Sequence, residues 1–220
     1  MHVQLAQHDR DPLTGLPGYD AFLKDVEAAS ESAEISGRSV SIALVDIDEF
    51  GVVNAAIGKS AGDQAIAGLA QALVGFAGED GMVYRYGGDA FTILFDGTEK
   101  ERAFLRMENA RKAFEGKQVA EGGKGSVRFP LTISVGVAAL PDDGMKAPDL
   151  IRKCSEALYR AKVSGRNKVS LAREKKMVTK TTHYTQGQLE GLSRLAKREG
   201  LNEATLLREA LDDLLRKRNS

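Results

Sequence analysis

The sequence has little cysteine, little histidine and no long hydrophobic run. Its one cysteine, Cys154, excludes an intramolecular disulfide and a thiolate metal cluster. The uncharged stretch at residues 129–141 is thirteen residues long, well short of the about 20 that a membrane-spanning helix needs. The first residues, Met-His-Val-Gln, lack the basic and then apolar pattern of a signal peptide. These absences predict a soluble, cytoplasmic protein with no membrane partner.

The composition is that of a globular protein, with 42% hydrophobic and 28% charged residues. A length of 220 residues suggests one ordinary domain and a small appendage. The net charge of zero conceals an asymmetry, because residues 1–171 hold 20 basic and 24 acidic side chains, whereas residues 172–220 hold 11 and 7. The acidic part does not suit nucleic acid, but the basic part does. We expect domains at 1–172 and 177–220, joined by a linker at 173–176.

Helices and strands alternate over the first 170 residues, which predicts an α/β fold. Apolar residues at helical spacing, apolar runs typical of buried strands, and glycine turns mark the elements. The expected order is helix Pro17–Ile35, strand Val40–Ile47, a helix around Ile66–Leu73, a hairpin of Met82–Tyr86 and Phe91–Phe95, a polar helix at 99–115, a loop at 121–125, strand Phe129–Leu140, helix Pro148–Val163 and strand Lys168–Leu171.

Two carboxylates and two cations suggest a site for a metal and a phosphate. Asp46 ends a strand and Asp89 lies in a glycine turn, so they meet if the two strands are neighbours. Carboxylates with a backbone carbonyl form a hard oxygen site suited to Mg²⁺. Lys162 and Arg166 are four residues apart on one helical face and supply positive charge for phosphates. Taken singly, each residue also fits a helix cap, an ordinary turn or a favourable charge at a helix end.

Guanine recognition is suggested by a separate pair of side chains. Asn54 and Asp63 offer an amide and a carboxylate, which supply the acceptors that the N1–H and amino groups of guanine require. Gly87 and Gly88 allow a tight turn and a close approach of the backbone to a ligand. The same Gly-Gly-Asp segment is also an ordinary hairpin turn.

The joint order and spacing of these motifs resembles the GGDEF domain of the diguanylate cyclase family, from about residue 9 to residue 171. The matching segments are Asp11-x-Leu-Thr-Gly-Leu, Asp46-x-Asp-x-Phe, Asn54, Gly58, Gly62-Asp63, Arg85-Tyr-Gly-Gly-Asp, Ile133-Ser-Val-Gly-Val and Ala157-Leu-Tyr-x-Ala-Lys-x-x-Gly-Arg-Asn.

The resemblance implies a palm-like (ferredoxin-like) sheet with flanking helices. It also implies condensation of two GTP into cyclic di-GMP by an antiparallel dimer, in which each 3′-hydroxyl attacks the partner's α-phosphate. By resemblance, Asp46, the Ile47 carbonyl and the catalytic residue Asp89 hold Mg²⁺. Asn54 and Asp63 bind guanine. The resemblance assigns the remaining nucleotide contacts to Phe50, Arg85, Gly87, Gly88, Lys162 and Arg166.

The sequence departs from the family pattern at several positions of the expected site. Ala90 stands where the signature has glutamate, and Gly51, Ala55 and Lys59 replace the usual Lys, Asp and His. The inhibitory Arg-x-x-Asp motif would fall on Gly78 and Gly81 and is absent. Several substitutions together favour natural divergence over one engineered change. The guanine-binding residues remain while the catalytic groups are reduced, which suits a nucleotide receptor better than an efficient cyclase.

The second part resembles a ribbon-helix-helix DNA-binding domain. A short strand at 179–185 is followed by helix Gln186–Arg198, which ends at Gly200, and by a second helix capped by Asn202. In that family two chains pair their strands into a ribbon that enters the major groove, which implies a homodimer on double-stranded DNA. Base contacts are then expected from Thr179, Thr181 and His183, and a phosphate contact from the helix start at Asn202. The alternative is a dimerisation element without DNA affinity.

These observations support three hypotheses. The first is a transcriptional regulator in which a guanine nucleotide, cyclic di-GMP or GTP, modulates a ribbon-helix-helix dimer. The second is an active diguanylate cyclase whose two sites are brought together by the C-terminal dimer. The third is a structural GGDEF-like domain that binds no nucleotide.

Overall fold

The computed structural model describes residues 10–120, 128–172, 182–200 and 202–219. The chain divides into two compact units, Met1–Lys175 and Lys176–Ser220, and each is described by itself.

The first unit is built on a five-stranded sheet. Its strands are β1 (Val40–Ile47), β2 (Gly81–Gly87), β3 (Ala90–Asp96), β6 (Ile133–Leu140) and β7 (Val169–Leu171). A separate two-stranded sheet is formed by β4 (Lys117–Ala120) and β5 (Arg128–Leu131). The sheet order is β2-β3-β1-β6-β7, antiparallel throughout except for the parallel pair β6–β7. The apolar strand β1 lies at the centre, because only a strand without charges in its interior suits burial on both faces.

Helices cover both faces of this sheet. They are α1 (Tyr19–Ser36), α2 (Phe50–Ile57), α3 (Lys59–Ala77), α4 (Lys100–Phe114) and α5 (Ala147–Val163). The helices α3 and α4 pack on one face through side chains such as Leu69 and Met107, and α1 and α5 pack on the other through Phe22 and Leu150. Helix α5 lies close to β6 because Gly136 has no side chain, and a Cβ there would overlap the backbone of α5. The mixed α/β architecture is confirmed.

Several sequence predictions are confirmed, and others are wrong. The strand at Val40–Ile47, the glycine hairpin and the helix into Val163 are present. The predicted strand Phe129–Leu140 is two strands separated at Thr132, and neither α2 nor β4 was predicted. Helix α1 begins at Tyr19 and not at Pro17, because Pro17 forms a β-bridge with Arg10 and accepts a hydrogen bond from the Arg85 amide at 2.8 Å. The predicted loop at 121–125 lies outside the described residues.

The second unit contains two helices, α6 (Gln186–Glu199) and α7 (Glu203–Asn219), which contact each other. Helix α6 begins with a capping box between Thr185 and Gln188 and ends, as expected, at Gly200 in the left-handed conformation with φ 66°. The predicted strand at 179–185 is wrong in its described part, because residues 182–185 form no strand. A strand needs a neighbouring strand for its backbone hydrogen bonds, and none of the described strands lies in the second unit. Residues 179–181 lie outside the described part.

None of the helices in the described residues has the length and apolar character needed to cross a membrane.

Candidate functional site

The candidate site lies at the edge of the sheet where β1 ends and the β2–β3 hairpin turns. Asp46 pairs in register with Ala90, so the strand order places Asp46 and Asp89 at the same edge. Burial raises the pKa of Asp46, and the negative charge of the nearby Asp89 raises it further. β1 and β3 are therefore neighbours, which is the condition for Asp46 and Asp89 to meet.

Lys162 reaches this edge from the end of α5. Its Nζ atom lies 2.7 Å from Oδ1 of Asp46, a carboxylate whose side chain is only 14% exposed. Burial raises the pKa of Asp46, the hydrogen bond from Lys162 lowers it, and the charge of Asp89 raises it again, with a net increase. The ammonium group of Lys162 is therefore the counter-ion of a largely buried carboxylate.

Arg166 lies in the turn after α5, which ends at Val163, so the prediction that Lys162 and Arg166 share one helical face is wrong. Arg166 contacts the loop that follows β1. Its Nη1 atom is 4.0 Å from Oε1 of Glu49, and both side chains are about half exposed. Arg166 has a φ of 58° and Glu49 a φ of 55°, a left-handed conformation that non-glycine residues seldom adopt. The two cations expected to bind phosphate thus both lie beside acidic side chains, Lys162 beside Asp46 at the end of β1 and Arg166 beside Glu49 in the loop that follows.

Asn54 lies on α2 against the first turns of α3. Its Oδ1 atom is buried and has no hydrogen-bond partner among the described residues. Gly62 makes room for this amide, since a Cβ at that position would overlap Asn54 Oδ1 and lie 3.0 Å from Cζ of Phe50. Asp63 follows Gly62 and is half-buried. A buried acceptor without a partner costs about 1–3 kcal/mol, so it marks a position where a ligand donor would be stabilising.

Arg85 lies beneath the hairpin turn. Its guanidinium stacks on the ring of Phe91 at 4.7 Å and donates to the carbonyl of Gly88. Burial lowers the pKa of Arg85, whereas the charges of Asp11, Asp89 and Asp63 raise it. The side chain therefore supports the turn and balances three acidic groups, in addition to any nucleotide contact.

The turn itself depends on its two glycines. Gly87 has a φ of 144° and Gly88 a φ of 58°, both in the region that favours glycine. A Cβ at either position would contact nothing within 4 Å, so backbone conformation rather than crowding requires glycine here.

The Asp11 motif forms a closed loop before α1. Oδ1 of Asp11 accepts hydrogen bonds from the amide of Thr14 at 2.8 Å and from its hydroxyl at 2.6 Å. Burial raises the pKa of Asp11, but these hydrogen bonds and the charge of Arg85 lower it by more, so the net effect is a decrease. The loop therefore presents an ionised carboxylate to Arg85.

The donor atoms at this edge fit a hard divalent cation such as Mg²⁺. Within the described residues, no three Asp, Glu, His or Cys side chains are grouped so that they alone could hold a metal. A cation would therefore be held by Asp46, Asp89 and a backbone carbonyl such as that of Ile47, with nucleotide phosphates completing its coordination. Ile47 is the last residue of β1 and is paired with Ile133 of β6.

Three side chains near the site were not singled out from the sequence. Glu49 contacts Arg166, Asp48 is buried below the edge, and Asn167 follows Arg166 in the left-handed conformation with φ 45°. The Asp46-x-Asp48 spacing was a signal for Asp48, but a spacing does not show which carboxylate faces the ligand.

The expected DNA-contacting residues are only partly described. His183 is exposed in the segment before α6. Asn202 directly precedes α7, and its carbonyl accepts a hydrogen bond from the amide of Leu206 at 3.3 Å. Thr179 and Thr181 lie outside the described residues.

Comparison with known proteins identifies the family. The model of the family described as "Diguanylate cyclase, GGDEF domain" matches residues 8–168. The chain belongs to the GGDEF domain family. The GGDEF domain occupies most of the first unit and includes every candidate residue described at the sheet edge.

The curated relatives include enzymes of opposite activity. The chain is 29% identical to the cyclic di-GMP phosphodiesterase NbdA of Pseudomonas aeruginosa over 76% of this chain and 21% of that protein. It is 31% identical to diguanylate cyclase A of Treponema denticola over 62% of this chain and 36% of that protein. The chain thus spans about a fifth to about a third of the length of these relatives.

Among solved structures, the fold is similar to the GGDEF domain of DgcB from Caulobacter crescentus in complex with c-di-GMP. The TM-score is 0.69 at 27% identity, over 78% of this chain and 99% of that chain. The palm-like GGDEF fold predicted from the sequence is confirmed.

Proposed function

We propose that the GGDEF domain of this chain is a receptor for a guanine nucleotide, GTP or cyclic di-GMP, bound together with Mg²⁺. The observation that carries this proposal is the buried Oδ1 of Asn54, which has no hydrogen-bond partner among the described residues. The N1–H and amino groups of guanine would supply donors to this acceptor and to the neighbouring carboxylate of Asp63. Adenine has no N1–H, so the same pair favours guanine.

The phosphate side of the site supports the same proposal. Asp46 and Asp89 lie at one edge and would hold Mg²⁺, while Lys162 approaches that edge from the end of α5 and Arg166 from the turn after it. The metal would neutralise the phosphate charge, and the two cations would orient the phosphate groups.

A receptor fits this site better than an efficient cyclase. Ala90 pairs with Asp46 at the edge, where the family has a glutamate, and a methyl group neither binds a metal nor accepts a proton. Gly51 at the start of α2 likewise removes the lysine that the family uses for phosphate. Binding survives these losses more readily than catalysis, which depends on charge stabilisation in the transition state.

Calorimetric titration with GTP and with cyclic di-GMP in Mg²⁺ tests the receptor proposal. We expect saturable binding to the wild-type chain and a loss of about tenfold or more in Asn54→Ala, because each hydrogen bond lost from a base is worth about 1–3 kcal/mol. Gln71→Ala, which truncates an exposed amide on α3, is the matched control. Equal affinities of wild type and Asn54→Ala would remove the basis of the proposal.

The second unit is proposed to pair with a second copy of the chain and to bind double-stranded DNA. Leu189, Leu211 and Leu214 are exposed on α6 and α7, and apolar surface on so small a unit favours association. The excess of basic residues after residue 171 supports a polyanionic partner. Nucleotide bound to the GGDEF domain would then regulate the DNA-binding dimer.

DNA selection from a random duplex pool, followed by titration of the selected duplex with and without cyclic di-GMP and GTP, tests the second unit. Sequence-specific binding whose affinity changes with a nucleotide is the expected result. Identical curves under all conditions would refute regulation, and no selection would refute specific DNA binding.

The second candidate function is an active diguanylate cyclase. It is favoured by the presence of Asp46, Asp89 and Lys162 together at one edge, and by the likeness to diguanylate cyclase A. Incubation with GTP and Mg²⁺, followed by an assay for cyclic di-GMP, separates the two functions. We expect little or no product from the wild-type chain and an increase in Ala90→Glu. Turnover of the wild-type chain equal to that of a family enzyme with an intact signature would favour the cyclase.

A further inference from the structure

Asp48 is a buried carboxylate that the proposed function does not use. Its side chain, two residues after the expected metal ligand Asp46, is part of the core and only 6% exposed. Oδ1 accepts a hydrogen bond from the hydroxyl of Ser134 at 2.6 Å, and Oδ2 accepts one from the hydroxyl of Thr132 at 2.8 Å. Both carboxylate oxygens of Asp48 are therefore bonded to hydroxyl groups at or just before the start of β6, which makes Asp48 a structural contact, whereas Asp46 is a proposed metal ligand.

The third hydrogen bond of Asp48 reaches the turn after α5. Its Oδ2 atom accepts from the backbone amide of Asn167 at 3.0 Å. Arg166 and Asn167 both have left-handed backbone conformations, with φ 58° and 45°. That conformation is tolerated by Asn but costs an arginine about 1 kcal/mol or more, so surrounding contacts must hold it.

A second anchor holds the same turn from α4. Oδ1 of Asn167 accepts from Nη1 of Arg111 at 2.8 Å, and Nδ2 of Asn167 donates to Oε1 of Glu115 at 2.7 Å. Arg111 is itself paired with Glu115 and Glu108, and its side chain is only 12% exposed. The backbone and the side chain of Asn167 are therefore fixed by two different elements.

We propose that Asp48 and Arg111 are positioning residues that hold the turn at Asn167 so that the Arg166 guanidinium stays beside the β1–α2 loop, ready to contact a nucleotide phosphate. This inference rests on the proposed nucleotide-binding function. An arginine held in place loses less side-chain entropy on binding than a free one, so the anchors increase phosphate affinity without touching the ligand.

Titration with GTP and with guanosine, both in Mg²⁺, tests the inference. Asp48→Asn retains the size of the side chain but removes its charge and one acceptor, and we expect about five- to tenfold weaker GTP binding with unchanged guanosine binding. Arg111→Met, a second variant far from Asp48 in sequence, should weaken GTP binding about threefold. Arg152→Met, which removes an exposed arginine of α5, is the matched control and should change neither affinity.

A double-mutant cycle with Arg166→Met separates positioning from a general structural effect. If the anchors act through Arg166, then Asp48→Asn and Arg111→Met cause no further loss of GTP affinity in the Arg166→Met background. The inference is overturned if the same loss appears in that background, if guanosine binding falls equally, or if neither variant weakens GTP binding. It is also overturned if the wild-type chain does not bind GTP, in which case titration with cyclic di-GMP still tests the proposed function by itself.

Discussion

The ammonium nitrogen of Lys162 lies 2.7 Å from Oδ1 of Asp46. The cation proposed to bind phosphate is therefore paired with the carboxylate proposed to bind the metal. If Mg²⁺ and a nucleotide bind as proposed, Asp46 would exchange Lys162 for the metal, and Lys162 would exchange Asp46 for a phosphate. The pair gives a largely buried carboxylate a counter-ion, which offsets part of the cost of burying its charge.

Replacing Lys162 with Met should therefore change two affinities in opposite directions. Without the competing ammonium, a divalent cation should bind Asp46 at least about threefold more tightly in the absence of nucleotide, because opposite charges at this distance interact strongly. Binding of GTP in Mg²⁺ should weaken about tenfold, because a phosphate contact is lost. Electron paramagnetic resonance of Mn²⁺ measures the first affinity, and calorimetry measures the second.

The matched control for Lys162→Met is Lys112→Met, which removes an exposed lysine of α4. It should change neither affinity. An unchanged Mn²⁺ affinity in Lys162→Met would show that the ion pair does not compete with the metal.

Adding one methyl group to Gly62 should damage guanine binding. A Cβ at Gly62 would overlap Oδ1 of Asn54, so the amide must move from its position. We expect Gly62→Ala to bind GTP about tenfold or more weakly. Gly68→Ala in the same helix, where a Cβ contacts nothing within 4 Å, should leave binding intact and stabilise the helix by about 0.5–1 kcal/mol. Equal GTP affinity in the two variants would contradict the assignment of Asn54.

Asp46 should give the protein a measurable pH dependence of stability. Burial, with the charge of Asp89, raises the pKa of Asp46 above its ordinary value of 3.8 despite the hydrogen bond from Lys162. The folded state then binds this proton more tightly than the unfolded state. The contribution of Asp46 to stability is thus complete below 3.8 and is lost as the pH rises through the folded-state pKa.

Urea denaturation of wild type and Asp46→Asn over that acidic range isolates the effect. The free energy of unfolding of the wild type, relative to that of Asp46→Asn, should fall as the pH rises above 3.8. A difference that stays constant, or increases with pH, would contradict the raised pKa.

The buried ion pair between Lys100, at the start of α4, and Asp143 should contribute more to the free energy of unfolding than an exposed ion pair does. Nζ of Lys100 lies 3.2 Å from Asp142 and 3.3 Å from Asp143, whose side chain is fully buried. We expect Lys100→Met to lower the free energy of unfolding by about 3 kcal/mol, because it leaves the Asp143 charge without its partner. Arg38→Met breaks an exposed pair with Asp96 and should cost less than about 1 kcal/mol. If urea denaturation gave the same loss in free energy of unfolding for Lys100→Met and Arg38→Met, the larger role of the buried pair would be contradicted.

The sequence predicted the elements whose patterns are long and uniform. Strand Val40–Ile47 was predicted at its observed bounds because a mostly apolar run of this length is typical of a buried strand. Helix α2 was missed because its eight residues are almost all apolar and show no helical periodicity. The division of Phe129–Leu140 had one usable signal, Pro130, since proline is confined to edges and ends of sheets.

The site was predictable as a set of residues but not as a set of contacts. Motif spacing brought Asp46, Asp89 and Lys162 into one hypothesis. The 2.7 Å contact between Lys162 and Asp46 depends on how α5 lies against β1, which no local pattern encodes. The same holds for Asp48, whose three donors come from β6 and from the turn after α5.

Calorimetric titration of the chain with GTP, cyclic di-GMP and ATP in Mg²⁺ tests the receptor function most directly. We predict saturable binding of a guanine nucleotide and no binding of ATP at the same concentrations, because Asn54 and Asp63 supply acceptors for the adjacent N1–H and amino groups of guanine, and adenine has no N1–H. Absence of binding by both guanine nucleotides, or binding of ATP with equal affinity, would contradict it.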